Sequence, residues 1–217
     1  VYADSGITSI DDMANLSVCV LSGTTTELNL AARFGSTPYT PLTFDANDQL
    51  QAACVAGQCE GWTSDKSQRA GVRSNFPDSE GGPEALVLLD ETFSKEPLGP
   101  VVADGDTQWA QVVNWVVLAT IQAEEWGLTS ADVASYSGDD AAIRRFLGLE
   151  TETDDGTTTF DPGLGLPTDF ATQVVSQVGN YAEIFERNVG PNTALGLPRG
   201  VNALWTDGGL LYAPPYR

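Results

Sequence analysis

Short apolar runs set between amphipathic stretches dominate the first half of the chain, and this alternation predicts strands joined by helices. Residues 16–21 (LSVCVL), bounded by Ser22 and Gly23, read as a buried strand. Residues 24–34 follow as a helix with Leu28, Ala31, Ala32 and Phe34 on its apolar side, Glu27 near its start and Gly35 at its end. Residues 39–44 form a second strand, after which Asp45 is placed to cap a helix carrying Leu50, Ala53 and Cys54 and stopping at Gly57. Residues 59–63 (CEGWT) are a third short strand with Ser64 and Asp65 at its carboxyl end. Two successive strand–helix–strand crossovers predict a right-handed parallel sheet. Ligands of such sheets bind beyond the carboxyl ends of the strands, which places residues 22–26 and 64–65 on one rim.

After residue 105 the spacing turns helical. Residues 106–125 predict a helix opened by Asp106, with Trp109, Val112, Val113, Val116, Val117, Thr120 and Ile121 covering more than one face, hence largely buried. Asp139 or Asp140 caps a short helix ending at Gly148. Pro167 and Thr168 start another that runs to about residue 187, with Phe170, Val174, Val178, Tyr181 and Phe185 in one stripe. The Gly- and Pro-rich tail from residue 190 onward keeps Leu204, Trp205, Leu210, Leu211 and Tyr212 for packing. Few strand-like runs follow Val101 to cover these helices. Either they pack on one another, or they were built to cover a sheet the chain does not carry.

Composition then removes whole classes of chemistry. The 217 residues carry 30 acidic against 10 basic side chains and no histidine, for a formal charge of -20 and a pI near 4.1. Long-range repulsion opposes binding to nucleic acid or to anionic lipid. Without histidine there is no Ser-His-Asp or Cys-His pair and no HExxH zinc site. The acids are scattered, as on a salt-adapted surface where charges are screened to roughly 3 Å at 1 M salt, rather than spaced as metal ligands. In the densest stretch, residues 150–161 (ETETDDGTTTFD), setting Gly156 at position 6 of an EF-hand loop puts Pro162 where the glutamate should be. That stretch reads as a solvated loop, and no metal or cofactor is expected. No run approaches the ~18 apolar residues of a membrane span. The opening VYADSGITSIDD lacks a signal peptide's basic start and apolar core. The chain is therefore expected to be a mature or truncated product, or a cytoplasmic protein. Cys19, Cys54 and Cys59 divide naturally into one disulfide and one buried thiol in an oxidising compartment.

The rim holds the candidate chemistry. SGTTTELNL (residues 22–30) is a glycine turn leading into a helix whose first turn carries Thr24, Thr25 and Thr26. Its unpaired N–H groups, its partial positive charge and the hydroxyls suit a carboxylate, although capping alone would also account for a threonine there. Asp65 suits an ammonium or caps the next helix. Together the two are complementary to a zwitterion.

Five stretches carry a family resemblance: VCVLSGTTTELNL (18–30), AGQCEGWTSD (56–65), SKEPLGPVV (94–102), QVGNYAEIFERNVG (177–190) and LGLPRGVNALWTDGGLLYAPPYR (195–217). In this order they resemble the second portion of a periplasmic amino-acid-binding protein of an ABC importer, closest to the general L-amino-acid-binding branch. The resemblance implies an α/β fold of the type II periplasmic-binding-protein kind. Residues 1–16 would be a linker and residues 17–98 the ligand-binding second lobe. Residues 99–217 would supply the hinge strand and the C-terminal helices of an incomplete first lobe, with SKEPLGPVV as the returning hinge strand. Thr24, Thr25 and Thr26 would contact the ligand α-carboxylate and Asp65 its α-ammonium. Cys19 and Cys59 would form the disulfide, leaving Cys54 free. Function would be non-catalytic and extracytoplasmic, delivering an L-amino acid to the membrane subunits of an ABC permease.

The family's N-terminal portion, with the arginine that pairs with the ligand carboxylate, has no counterpart in these 217 residues. Weakened or absent binding by this chain alone and homo-oligomers through an uncovered first-lobe surface are thus expected. Two other functions stand beside this one. A lyase or dehydratase on the same scaffold would have to rely on Glu27 and Asp65, and an oligomeric remnant would bind nothing.

Overall fold

Val18, Cys19 and Val20 are withdrawn from water in the middle of a three-stranded parallel sheet, and the surrounding chain is arranged by that burial. The computed structural model describes residues 1–216, the side chain of Thr153 excepted, so the last residue of the tail motif, Arg217, lies outside the described residues. The chain forms two compact units. Unit 1 is Val1–Leu98 with Ala194–Leu197; unit 2 is Gly99–Thr193 and the chain from Pro198 onward. No helix of the described residues is long and apolar enough to cross a membrane.

In unit 1 the strands are β1 (Ser17–Leu21), β2 (Thr40–Phe44) and β3 (Gly61–Trp62), in the order β2-β1-β3. Ser17 pairs with Thr40 and Leu21 with Phe44 on one edge of β1; Val18 pairs with Gly61 and Cys19 with Trp62 on the other. Successive side chains of a strand point to opposite faces. Accordingly Val18 and Val20 pack with Ile10, Met13, Leu30 and Phe34 on one side, and Cys19 with Leu50, Ala53, Cys54 and Cys59 on the other. Helices α1 (Thr25–Phe34), α2 (Asn47–Val55) and α3 (Lys66–Ser74) connect and follow the strands.

Four details depart from the sequence-based expectation. On α1 the buried pair is Leu30 and Phe34, one turn apart, while Leu28 is 70% exposed; two residues turn a helix by about 200°, so Leu28 cannot share their face. The N-cap of α2 is Ala46 rather than Asp45, because the Asp45 carboxylate instead accepts the Ser22 hydroxyl at 2.7 Å. Residues 1–16 are not a bare linker: Ile10 and Met13 belong to the unit 1 core, and Tyr2 bridges to Leu86. Residues 87–106, which include the SKEPLGPVV segment expected as a hinge strand, contain no strand.

Unit 2 is built on α4 (Thr107–Glu125), α5 (Ala141–Phe146), α6 (Phe170–Val178) and α7 (Tyr181–Asn188). Asp106 caps α4 by accepting the Trp109 amide at 3.0 Å. Asp140 caps α5 by accepting the Ala142 and Ile143 amides at 2.8 and 3.1 Å. The helices pack on one another, α4 against α6 and α7, around Ala119, Ala123, Phe146, Leu147, Phe170 and Val175. Tyr216 of the tail enters this core and meets Trp115 and Phe146 edge-on, with both centroid separations at 5.0 Å. Burial on α4 is concentrated in Ala119–Ala123; Trp109, expected inside, is 54% exposed. The acidic stretch expected as a loop forms a hairpin of β4 (Thr151–Thr153) and β5 (Gly156–Thr158).

The single helix expected from about 168 to 187 is two, because the chain turns at Gly179, where φ is +86°. Asn180 then starts α7 with a reciprocal cap: its Oδ1 accepts the Glu183 amide at 2.9 Å, and the Glu183 carboxylate accepts the Asn180 amide at 2.9 Å. The buried Asn180 also donates from Nδ2 to the Leu128 carbonyl at 2.8 Å.

Asn180→Ala is expected to cost about 1–2 kcal/mol in urea unfolding, by loss of the cap and of a buried partner. Burial works against the Glu183 charge, but hydrogen bonds from the Ser130 hydroxyl and from the Asn180 and Ser130 amides outweigh it and hold the carboxyl below its ordinary value of 4.5. A depressed carboxylate stabilises the fold above its unfolded value and ceases to do so as pH falls through its folded value. Glu183→Gln is therefore expected to lower the urea midpoint at pH 7, and that deficit should close as pH falls below 4.5.

Candidate functional site

The carboxyl ends of β1 and β3 lie side by side because the two strands are parallel and hydrogen-bonded. The segments leaving those ends, Ser22–Thr26 after β1 and Thr63–Asp65 after β3, therefore share one edge of the sheet. The Thr63 amide donates to the Cys19 carbonyl at 3.2 Å, which extends this registration past the end of β3.

Helix α1 uses part of its donor set internally. Thr24 is the N-cap; its Oγ1 accepts the Glu27 amide at 3.2 Å and donates to the Leu21 carbonyl at 2.8 Å. The Glu27 carboxylate accepts the Gly23 amide at 2.7 Å. Thr24 is thus a structural cap in the first place, and Glu27 is held at the helix start. Thr25 is exposed, and its hydroxyl faces the Glu96 carboxylate at 3.4 Å, which also accepts Asn29 Nδ2 at 3.0 Å. Among the described residues the amides of Thr25 and Thr26 and the Thr26 hydroxyl have no partner. They are the orphan donors of a helix start, where a negative group is favoured. Glu96 occupies part of that environment, and sequence reading missed it: it lies 71 positions from Thr25, inside a motif that carried no sign of its direction.

Asp65 is the N-cap residue of α3 by position, yet its side chain makes no capping hydrogen bond. It is half-buried, and one turn onward the buried Arg69 lies with its guanidinium 5.8 Å from the Trp62 ring. The neighbouring hydroxyl of Ser64 is engaged with Gln68, which in turn donates to Asn47 at 3.2 Å. The simple use of Asp65 as a helix cap is not realised; its charge acts on the buried Arg69 guanidinium one turn onward.

Cys19 and Cys59 are joined by a disulfide directly beneath this edge, and Cys54 is a buried free thiol. Among the described residues, the one set of Cys, Asp and Glu side chains close enough to surround a metal ion is Cys19, Cys54 and Cys59, two of which are consumed by the disulfide. Unit 2 has an apolar cleft of about 740 Å³ lined by Trp126, Trp205, Tyr212 and Tyr216. The Glu125 carboxylate at its wall is already held by Gln122 and the Ala213 amide at 2.8 and 3.3 Å, which leaves few convergent polar groups to orient a ligand.

No family model matches the chain. The chain is 44% identical over 209 residues to the general L-amino acid-binding periplasmic protein AapJ of Rhizobium johnstonii, covering 95% of this chain and 59% of that protein. It is 41% identical over 216 residues to the glutamate/glutamine/aspartate/asparagine-binding protein BztA of Rhodobacter capsulatus, covering 98% of this chain and 61% of that one. The putative amino-acid ABC transporter-binding protein YhdW of Escherichia coli is 39% identical over 217 residues. Among solved structures, an ABC transporter periplasmic binding protein from Brucella ovis with glutathione bound is similar at a TM-score of 0.84 and 41% identity, over 98% of this chain and 64% of that one. The chain spans about 60% of the length of the curated relatives it matches.

Thr24→Ala is expected to cost about 1 kcal/mol in chemical unfolding through loss of the α1 cap, whereas Thr26→Ala should stay within about 0.5 kcal/mol of the parent. Equal losses at both positions would contradict the division of labour along this first turn.

Proposed function

We propose that this chain, a homologue along 95% or more of its length of the amino-acid-binding periplasmic proteins of ABC transporters, supplies one face of an L-amino-acid site. In this reading it works outside the cytoplasm, without catalysis, and passes its ligand to the membrane subunits of an ABC permease. The observation that carries the reading is the pairing, on one sheet edge, of orphan donors at Thr25 and Thr26 with an uncapped carboxylate at Asp65. The Thr25 and Thr26 amides and the Thr26 hydroxyl hold the α-carboxylate, reinforced by the helix dipole. Asp65 accepts the α-ammonium in a charge-assisted hydrogen bond. Thr24 contributes by fixing the helix start, with its hydroxyl committed on both sides.

Glu27 is bound to the Gly23 amide and leaves Asp65 without the partner carboxylate that an acid–base pair needs, so the reading contains no bond-breaking step. The portion of the relatives that this chain does not span supplies the opposite wall of the site and further carboxylate contacts.

Calorimetry with a panel of L-amino acids tests the proposal, on this chain and on a chain extended by the portion of the relatives it does not span. The extended chain should bind, and Asp65→Asn in it should weaken binding about 10- to 100-fold, the loss of one charge-assisted contact. Absence of binding by the extended, folded protein, or an Asp65→Asn variant with unchanged affinity, would contradict it.

A further inference from the structure

Beneath the rim, three sulfur atoms share one buried space. Cys19 and Cys54 are wholly inaccessible and Cys59 nearly so, and all three Sγ atoms lie within 4.8 Å of one another. Two of them are bonded as Cys19–Cys59. The third, Cys54 on the last turn of α2, has its Sγ 3.2 Å from Cys59 Sγ. The contact puts a reduced sulfur beside a disulfide sulfur; because Cys54 Sγ also lies within 4.8 Å of Cys19 Sγ, the approach is bent rather than in line with the Cys19–Cys59 bond, and exchange requires the Cys54 side chain to rotate before it attacks.

We infer that Cys19, Cys54 and Cys59 form an exchange set with two mutually exclusive bridges, Cys19–Cys59 and Cys54–Cys59. In the exchange the Cys54 thiolate attacks Cys59 Sγ, the Cys54–Cys59 bond forms, and the Cys19–Cys59 bond breaks with its electron pair leaving on Cys19. The proton given up by Cys54 is taken up by Cys19, so the step is an isomerisation and needs no oxidant. Its structural consequence falls on the rim. Cys19–Cys59 ties β1 to the lead-in of β3, whereas Cys54–Cys59 is a clip across five positions between α2 and that same lead-in. In the second isomer β1 and β3 are held by hydrogen bonds such as Glu60 N–H to Ser17 O (3.1 Å) and Thr63 N–H to Cys19 O (3.2 Å), and the two halves of the rim lose their covalent connection.

The surroundings of Cys54 set when exchange occurs. Burial pushes its thiol up to about 12, opposed by the positive charges of Arg69 on α3 and of the Val1 amine. The Tyr2 hydroxyl donates to the Cys54 carbonyl at 2.5 Å and is itself held above its ordinary value, mainly by burial. Burial lowers Arg69 to about 10, against the stabilising charges of Cys54 and Asp65, and holds the Val1 amine below 8.0. Between pH 8 and 9 the Val1 amine is already more than half deprotonated, Arg69 is still mostly charged and Tyr2 neutral, so the main change beside the disulfide is the thiolate fraction of Cys54, which rises by about tenfold per pH unit.

The full chain is held at pH 8 and at pH 9 without added thiol, quenched in acid, denatured, alkylated with N-ethylmaleimide and mapped by mass spectrometry. Label on Cys54 reports the Cys19–Cys59 isomer, and label on Cys19 the exchanged one. Label on Cys19 should grow with time, about tenfold faster at pH 9, with near-UV circular dichroism still native. Label confined to Cys54 at both pH values would overturn the inference. Independently, Cys19→Ser treated with oxidised glutathione should form the Cys54–Cys59 bridge. A folded Cys19→Ser protein whose two cysteines instead remain free or each carry glutathione would overturn it as well; if this variant does not fold, the labelling of the parent chain decides.

Discussion

The arrangement of unit 1 depends on β1 being paired along both edges and apolar on both faces. A strand in that position must find parallel partners on either side and an apolar layer above and below, which Phe34 and Leu30 provide on one face and Leu50 and Ala53 on the other. Once the register with β2 and β3 is set, the exit of the chain from the sheet is set too. Ser22 emerges beside Asp45 and hydrogen-bonds to it, Thr24 folds back onto the Leu21 carbonyl, and Asp65 follows β3 onto the same edge. The placement of both polar ends of the proposed ligand site is a by-product of pairing in the middle of the sheet.

The large negative charge has little to do with that site. Many of the acids have local structural work at helix starts, where carboxylates satisfy orphan amides and meet the positive end of the helix dipole. Asp12 accepts the Thr8 and Ser9 amides at 3.0 and 2.9 Å, Asp106 and Asp140 cap α4 and α5, and Glu183 closes the reciprocal cap of α7. A partly buried ion pair, Arg199 with Glu124 at 2.9 Å, lies in unit 2, where the guanidinium also sits 5.3 Å from the Phe185 ring. Asp65 departs from this pattern, as does Asp169 at the start of α6: neither side chain caps its helix, but Asp169 accepts from Gln173 Nε2 at 2.9 Å.

The parallel sheet was legible in the sequence because its strands are short apolar runs closed by Gly, Ser or Asp, and the two connecting helices show helical spacing between them. The break between α6 and α7 was not, because Val174, Val178, Tyr181 and Phe185 continue one apolar stripe across Gly179 and conceal the turn. The β4–β5 hairpin was hidden by its acids, although Asp155-Gly156 between threonine-rich flanks is a turn signal in its own right. On the rim, residue types pointed to a carboxylate site at the start of α1, but spacing along the chain could not separate Thr24 as cap from Thr25 and Thr26, whose amides are unpartnered among the described residues. Glu96 and the proximity of Cys54 to the disulfide arise from chain folding over long or sharply turned segments, and periodicity carries no trace of either.

The central claim is that an amino acid is held between the start of α1 and Asp65, and amide chemical shifts read this directly. In the chain extended by the portion of the relatives it does not span, titration with an L-amino acid should move the amide resonances of Thr25, Thr26 and Asp65 in a saturable manner. The matching α-hydroxy acid, which lacks the ammonium, should move Thr25 and Thr26 at higher concentrations and leave Asp65 in place. Saturable shifts confined to other regions, with Thr25, Thr26 and Asp65 unmoved, would contradict the account.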